Sequence, residues 1–279
     1  MEREARLRER LVSRLEAADT LRRQSVAAAM RTVPRHRFLP GVSIDEAYAD
    51  RAIAIKAEGG EVTASVSQPG MIAQMLELLQ AERGDRILEI GTGSGYNAAL
   101  LGDIVGPQGS VTTIDLDDEL AERARATLDA VGCRNVRVLA ADGAQPQAAQ
   151  FDRLIVTARS DDIAAAWWNA VRNAGRMVVP LRLESAGEYA VGFDLSGKRL
   201  ISVGAWPCAF VAMRGTIAAP ATTELFYRDP AERGKTAHVR RIANVVAVRR
   251  EDATPSLLNE ADVVVARPVT FFGVTFRPS

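Results

Sequence analysis

A doubly wound α/β fold on a mainly parallel sheet is predicted by three features of this 279-residue chain. From Arg86 onward, short apolar runs alternate with amphipathic ones, the signature of βαβ units whose sheet is covered on both faces. The first apolar run, "RILEI", ends in a turn carrying Gly91, Gly93 and Gly95 at every second position. The series closes on "GEYAVGFDL" and "RLISVGAWP", joined at Ser196-Gly197, which predict an antiparallel hairpin where another helical crossover is expected.

The elements come in order. The N-terminal "MEREARLRERLVSRLEAADTLRRQ" spaces Leu7, Leu11 and Leu15 for one face of a charged amphipathic helix and lacks the apolar core of an export signal. In the alternating region, "RILEI" is followed by the helical "YNAALLGDIV", "SVTTIDL" by "DDELAERARATLDAVG", and "NVRVLAADG" by a loop. "FDRLIVTA" then leads to "DDIAAAWWNAVRNAG" and the strand "RMVVPLRL". Trp167 and Trp168 read as packing residues of that last helix, with one of them able to face a peptide. Past Gly215 the alternation stops. "AHVRRIANVVAVRR" has Val239, Ile242, Ala243 and Val246 at helical spacing, and "ADVVVARPVTFFGVTF" reads as strands broken by Pro268. The expected organisation is an N-terminal helical, substrate-side segment over 1–80, a cofactor-binding domain over 81–214 and a small α+β appendage over 215–279.

Composition narrows the class. A 47% hydrophobic content supports an ordinary core, and 35 basic against 35 acidic residues leave no global field to recruit nucleic acid or an anionic membrane. No apolar run reaches membrane-spanning length. Cys133 and Cys208 are far apart and lack metal-ligand spacing, which fits a reducing compartment, and a cytoplasmic protein without a metal is expected.

Ligands of an open α/β sheet sit at the carboxyl ends of its strands, beside the topological switch point. The dinucleotide fingerprint is G-x-G-x-x-G; here Gly91-Thr92-Gly93-Ser94-Gly95 is spaced G-x-G-x-G, with Glu89 two residues ahead. An acidic residue at that rim repels a pyrophosphate and suits an ammonium group. S-adenosyl-L-methionine has such a group, and a ribose whose hydroxyls suit a carboxylate. Asp115, with Leu116 beside it, ends the second strand and is placed for the ribose. Asp142 and Gly143 end the third and are placed for the adenine amine. Each signal also has a bland reading, as a tight turn or a helix cap; three at successive strand ends point to S-adenosyl-L-methionine.

Ahead of the sheet lie "VPRHRFLP", "AYADRAIAI" and "SVSQPGMIAQMLELL". With "LEIGTGSGY" and "FDRLIVTA", these resemble the protein-L-isoaspartate O-methyltransferase family over about residues 25 to 215. The resemblance implies methyl transfer to an aspartyl or isoaspartyl carboxylate of a peptide or protein, followed by closure of the ester to a succinimide. Ser67, in Ser65-Val66-Ser67-Gln68-Pro69, matches the serine of the family's Thr-Ile-Ser-x-Pro motif, which is held against the acceptor carboxylate. Ser65, Val66, Thr157, Ala158 and Arg159 are the expected acceptor-side neighbours. A carboxylate with a pKa of about 4 needs no general base, so alignment is the main requirement.

Alternatives stay open at this level. Ser67 can instead cap the helix that begins at Pro69. His36 reads more readily as a satisfied histidine than as a catalyst, and His238 as a surface residue. Arg159 stands where the family has Thr-Ala-Ala-Pro or a close variant; it can clamp a carboxylate bidentately or point to water. That departure, the long polar "KAEGGEVTAS" and the appendage resemble the branch that tailors ribosomally made peptides, and the expectation leans slightly that way over general protein repair. A small-molecule O-methyltransferase and a non-catalytic binder are the readings from other classes.

Overall fold

The computed structural model describes residues 2–146, 150–183, 187–197 and 199–216, together with four later strands. The chain opens with α1 (Glu2–Ala17) and α2 (Gln24–Thr32), and α1 turns Leu11, Val12 and Leu15 into the core. Arg31 of α2 reaches back to the carboxylates of Glu9 and Glu16 and locks the two helices together. A 3-10 turn over Arg35–Phe38 and the short α3 (Ile44–Ala47), capped by Ser43, lead to a hairpin of β1 (Ile53–Glu58) and β2 (Glu61–Val66). Gly59 and Gly60 form its tip at φ +59° and +87°, a conformation that favours residues without a Cβ. The glycine pair between alternating residues was the sequence signal for this hairpin, which the sequence reading passed over. α4 (Pro69–Leu79) comes after it, with Pro69 in its first turn.

Next come β3 (Arg86–Ile90), α5 (Tyr96–Val105), β4 (Ser110–Asp115), α6 (Asp118–Ala130), β5 (Val136–Ala140), β6 (Phe151–Val156) and α7 (Ala165–Ala170). β7 (Val171–Leu183), β8 (Gly187–Ser196) and β9 (Arg199–Pro207) complete the series. β5, β4, β3, β6 and β7 lie side by side in that order, each pair parallel, and β8 and β9 continue antiparallel. The doubly wound sheet with its closing hairpin is therefore as the sequence predicts. β3 lies between β4 and β6, so the strand order reverses around it. In register, Ile90 stands opposite Ile114 on one side and Val156 on the other, which brings the three strand ends to one edge. One buried cluster joins α1, α2, α4 and α5 to the sheet; a second lies under Trp167, Trp168 and Phe193. Both tryptophans are buried, as packing residues.

Two elements differ from the sequence reading. The helix expected over "DDIAAAWWNAVRNAG" is six residues long, because Val171 already pairs with Phe151 and the strand continues through Ala174 at φ +62°. In the C-terminal segment, β10 (Thr223–Arg228) pairs with β11 (Thr236–Arg241), and β12 (Val245–Arg249) with β13 (Gly273–Phe276), whose Thr275 is paired with Ile201 of β9. The helical spacing read across Val239 and Val246 is thus overridden by strands, in keeping with the β-branched valines and the available β9 edge. Ile242, Ala243 and Pro268 lie outside the described residues.

Candidate active site

The turn after β3 is held in left-handed backbone at Gly91, Gly93 and Gly95, with φ of +99°, +52° and +85°. A Cβ at Gly91 would collide with Thr157 Oγ1, so the first glycine lets β3 and β6 meet closely. Thr157 Oγ1 closes that contact by donating within reach of the Ile90 and Gly91 carbonyls, at 3.1 and 2.6 Å. The Gly93 amide donates to Asp115 Oδ2 at 2.8 Å, and the Asp117 amide to Asp115 Oδ1 at 3.0 Å. Asp115 is thereby aimed along the turn, and a carboxylate with about four lone-pair sites still has capacity after accepting two amides.

Glu89 lies elsewhere than the rim where the sequence reading put it. It is fully buried behind the turn, accepting from Asn97 Nδ2 at 2.7 Å and from Thr113 Oγ1 at 2.6 Å, and Thr113 Oγ1 in turn accepts from Thr92 Oγ1 at 2.7 Å. The cause is the central place of β3 between β4 and β6, which leaves both of its faces buried. Burial pushes its carboxyl up to about 7, against the opposing pull of the Thr113 and Asn97 hydrogen bonds. Asn97, whose amide donates to Glu89, itself lines the cavity.

One cavity extends from this turn. Its walls are Thr63 to Val66 of β2 with Ser67 directly after them, Gly91 to Ser94, Asp115 and Leu116, Gly143, Thr157 and Ala158, and a strap from Phe210 to Arg214. The strap pairs along the loop after β6, with the Arg159 amide donating to the Val211 carbonyl at 2.9 Å and the Met213 amide to the Arg159 carbonyl at 2.8 Å. At the mouth, Lys56 of the hairpin meets Asp117 at 2.5 Å and Arg214 stands 3.6 Å from it. The Lys56 hydrogen bond holds the Asp117 carboxyl below its usual range.

The first turn of α4 is not capped by the Ser67 hydroxyl: Gln68 is the capping residue, without a side-chain bond, and Asp50 Oδ1 takes the Gly70 amide at 2.8 Å. Four expected site residues lie off the cavity wall. Glu89 is behind the turn, and Gly95 packs against Ala124 and Leu128 of α6. Asp142 is turned to the Ala144 and Thr216 amides, while neighbouring Gly143 is in the wall and its carbonyl accepts from Trp167 Nε1 at 2.6 Å. Arg159 is engaged within the protein: Nη1 donates to Glu188 Oε1 of β8 at 3.0 Å, off the cavity wall. His36 Nδ1 is satisfied by the Tyr48 hydroxyl at 2.9 Å, on a face away from the cavity. The strap, Asn97 and the hairpin contacts are site features that sequence reading missed; the strap and hairpin come from segments without a motif spacing, whereas Asn97 stands two residues after the glycine turn, which was its signal.

A close-approach glycine turn, a strand-end carboxylate with spare acceptor capacity and the partly exposed apolar Leu116 fit a nucleoside with an amino-acid tail, and therefore S-adenosyl-L-methionine. The profile of the family Protein-L-isoaspartate(D-aspartate) O-methyltransferase (PCMT) matches residues 5–216. The chain belongs to this family. It is a protein carboxyl methyltransferase, and its methyl donor is S-adenosyl-L-methionine. The isoaspartate methyltransferase of Ignicoccus hospitalis is 43% identical over 176 residues, 62% of this chain and 81% of that protein. That of Gloeobacter violaceus is 37% identical over 192 residues, 68% of this chain and 90% of its own. A solved protein-L-isoaspartate O-methyltransferase superposes with a TM-score of 0.69 at 27% identity, covering 75% of this chain and 67% of the other. A Plasmodium falciparum structure, described as a complex with S-adenosyl-L-homocysteine, shares the fold at a TM-score of 0.64 and 16% identity, covering 74% and 97%. The isoaspartate methyltransferase match thus ends two residues beyond the strap, and residues beyond 216 lie outside it. Among the described residues, no helix is long and apolar enough to cross a membrane.

Proposed function

We propose that the chain methylates the free carboxylate of isoaspartyl residues in proteins and peptides, as the first step of their repair. The observation that carries this reading is that Ser67 and the glycine turn line the same cavity. S-adenosyl-L-methionine supplies an electrophilic methyl group on a sulfonium. The turn at Gly91 to Ser94 takes its amino-acid portion, Asp115 its ribose hydroxyls, and Leu116 with the Gly143 backbone its adenine. Ser67 Oγ would donate to one oxygen of the acceptor carboxylate and orient the other toward the methyl group. Transfer would form a C–O bond as the C–S bond breaks, with no proton to move. Alignment of this kind is worth several kcal/mol, roughly 7–11 in the best cases. The ester then loses methanol as a backbone nitrogen attacks it, leaving a succinimide that hydrolyses in part to normal aspartate.

Tailoring of one ribosomally made peptide is the second reading, and the residues beyond 216 are what favour it. Arg159, which in that reading adds a specific contact, is engaged by Glu188. We assign residues 1–80 to the acceptor side, 81–214 to cofactor binding and 215–279 to a separate role, in a protein that works in the cytoplasm. The test is mass spectrometry of an isoaspartyl peptide and its aspartyl twin after incubation with S-adenosyl-L-methionine. A gain of about 14 Da on the isoaspartyl peptide alone is expected. Modification of the aspartyl twin alone would select the tailoring reading, and modification of free small acids alone a metabolite enzyme.

A further inference from the structure

Arg35, the arginine of "VPRHRFLP", is completely buried. Its Nε donates to the Ala47 carbonyl and its Nη2 to the Ser67 carbonyl, both at 2.9 Å, and the guanidinium lies 5.0 Å above the centre of the Tyr96 ring. Nη1 has no hydrogen-bond partner among the described residues. Asp50, the carboxylate whose charge is felt there, is itself turned to the Gly70 amide at 2.8 Å and the Gln68 side chain at 3.2 Å. Buried charges are ordinarily paired or neutralised. This one is met by two carbonyls and an aromatic face, and arginine stays protonated at neutral pH even when burial lowers its pKa. Two of its contacts, Ser67 and Tyr96, line the cavity, Ser67 on the proposed acceptor side.

We propose that Arg35 is a positioning residue for the acceptor: it fixes the backbone of Ser67 and sets a positive charge with no directly bonded carboxylate behind the wall, so that the site takes an anionic acceptor and discriminates against its neutral counterpart. The proposal rests on Ser67 being the acceptor-side residue. It gives the reaction a direction at the level of binding. The substrate is a carboxylate, whereas the product is an uncharged methyl ester that no longer gains from the cation. The field also survives salt, because mobile ions do not reach a buried charge as they reach surface pairs.

The test compares an end-blocked isoaspartyl peptide with its neutral isoasparaginyl twin, by calorimetry on enzyme loaded with S-adenosyl-L-homocysteine. At an effective dielectric near 20, a unit charge within about 10 Å predicts a preference for the acid of roughly tenfold, retained at high salt. Arg35→Lys, which keeps the charge and loses the two-way hydrogen bonding, should keep most of that preference and lower kcat. Arg35→Met should bring the ratio near one with S-adenosyl-L-homocysteine affinity unchanged. A wild-type ratio near one overturns the proposal whether or not the Met variant folds. So does a folded Met variant that retains the ratio, or loss of cofactor and both peptides in parallel in the two variants. Failure of the wild-type enzyme to methylate either aspartyl or isoaspartyl peptides would sink the acceptor reading itself; methylation with no charge preference would sink the assignment of Arg35 alone.

Discussion

The amide of Gly93 donates to Asp115 Oδ2 at 2.8 Å, tying the glycine turn after β3 to the end of the neighbouring parallel strand β4. The carboxylate therefore shapes the turn as well as lining the cavity. Asp115→Ala is expected to weaken S-adenosyl-L-methionine binding by about 1.5–3 kcal/mol, the range for a charge-assisted hydrogen bond. Calorimetry showing wild-type affinity would remove Asp115 from the cofactor site.

Ser67 has no capping duty, since Asp50 takes the Gly70 amide. Ser67→Ala should therefore leave the melting temperature and cofactor affinity close to wild type while lowering kcat/KM on an isoaspartyl peptide by ten- to a hundredfold, about 1.4–2.7 kcal/mol of lost alignment. Normal turnover would refute its acceptor role.

Glu89 titrates in the folded protein near 7, against 4.5 for an unperturbed carboxyl, because burial disfavours its charge. Between those values the folded state holds more protons than the unfolded one. The contribution of Glu89 is thus fully present below about pH 4.5 and is lost as pH rises through about 7. Glu89→Gln cannot ionise, so the cofactor-free variant should gain stability relative to wild type between pH 5 and 8, by a few kcal/mol at most. Urea melts at a series of pH values read the difference, and a constant offset would exclude this titration.

The strap is fastened through Glu188, which accepts from Arg159 Nη1 at 3.0 Å and from the Phe210 amide at 3.3 Å. Glu188→Ala should speed hydrogen exchange at the Phe210 amide about tenfold, equivalent to ~1.4 kcal/mol, and raise KM for peptide. Exchange as slow as in wild type would show that the pairing with the loop after β6 holds the strap unaided.

Thr216 closes the family-like region by donating to Asp142 from its amide and its hydroxyl, at 3.0 and 2.8 Å. A chain ending just beyond it should still bind S-adenosyl-L-methionine. If the remaining residues recognise substrate, activity on a long cognate peptide should fall more than activity on a short isoaspartyl one, since remote contacts help only substrates that reach them. If they mainly cover the β9 edge, where Thr275 pairs with Ile201, both activities should fall together with solubility.

The sequence by itself determined the sheet, its hairpin ending, the glycine turn and the serine motif, because each is written locally. Apolar runs of strand length alternate with helical periods, glycines mark the positions where φ is positive, and Ser67 stands in a short motif. The same locality is why Glu89 was misplaced: its position in sequence shows that it ends a strand, but only the packing of β3 against its neighbours decides that its carboxylate is enclosed by Asn97 and Thr113. Arg159 and Glu188 are 29 residues apart, and Arg35 and Ser67 are 32 apart. No spacing rule joins such pairs. They meet because the strap runs along the loop after β6 and because the Arg35 side chain reaches from the 3-10 turn to the Ser67 carbonyl just after β2, so tertiary structure alone decided which charges are matched and that Arg35, among the described residues, has no carboxylate in hydrogen-bond contact.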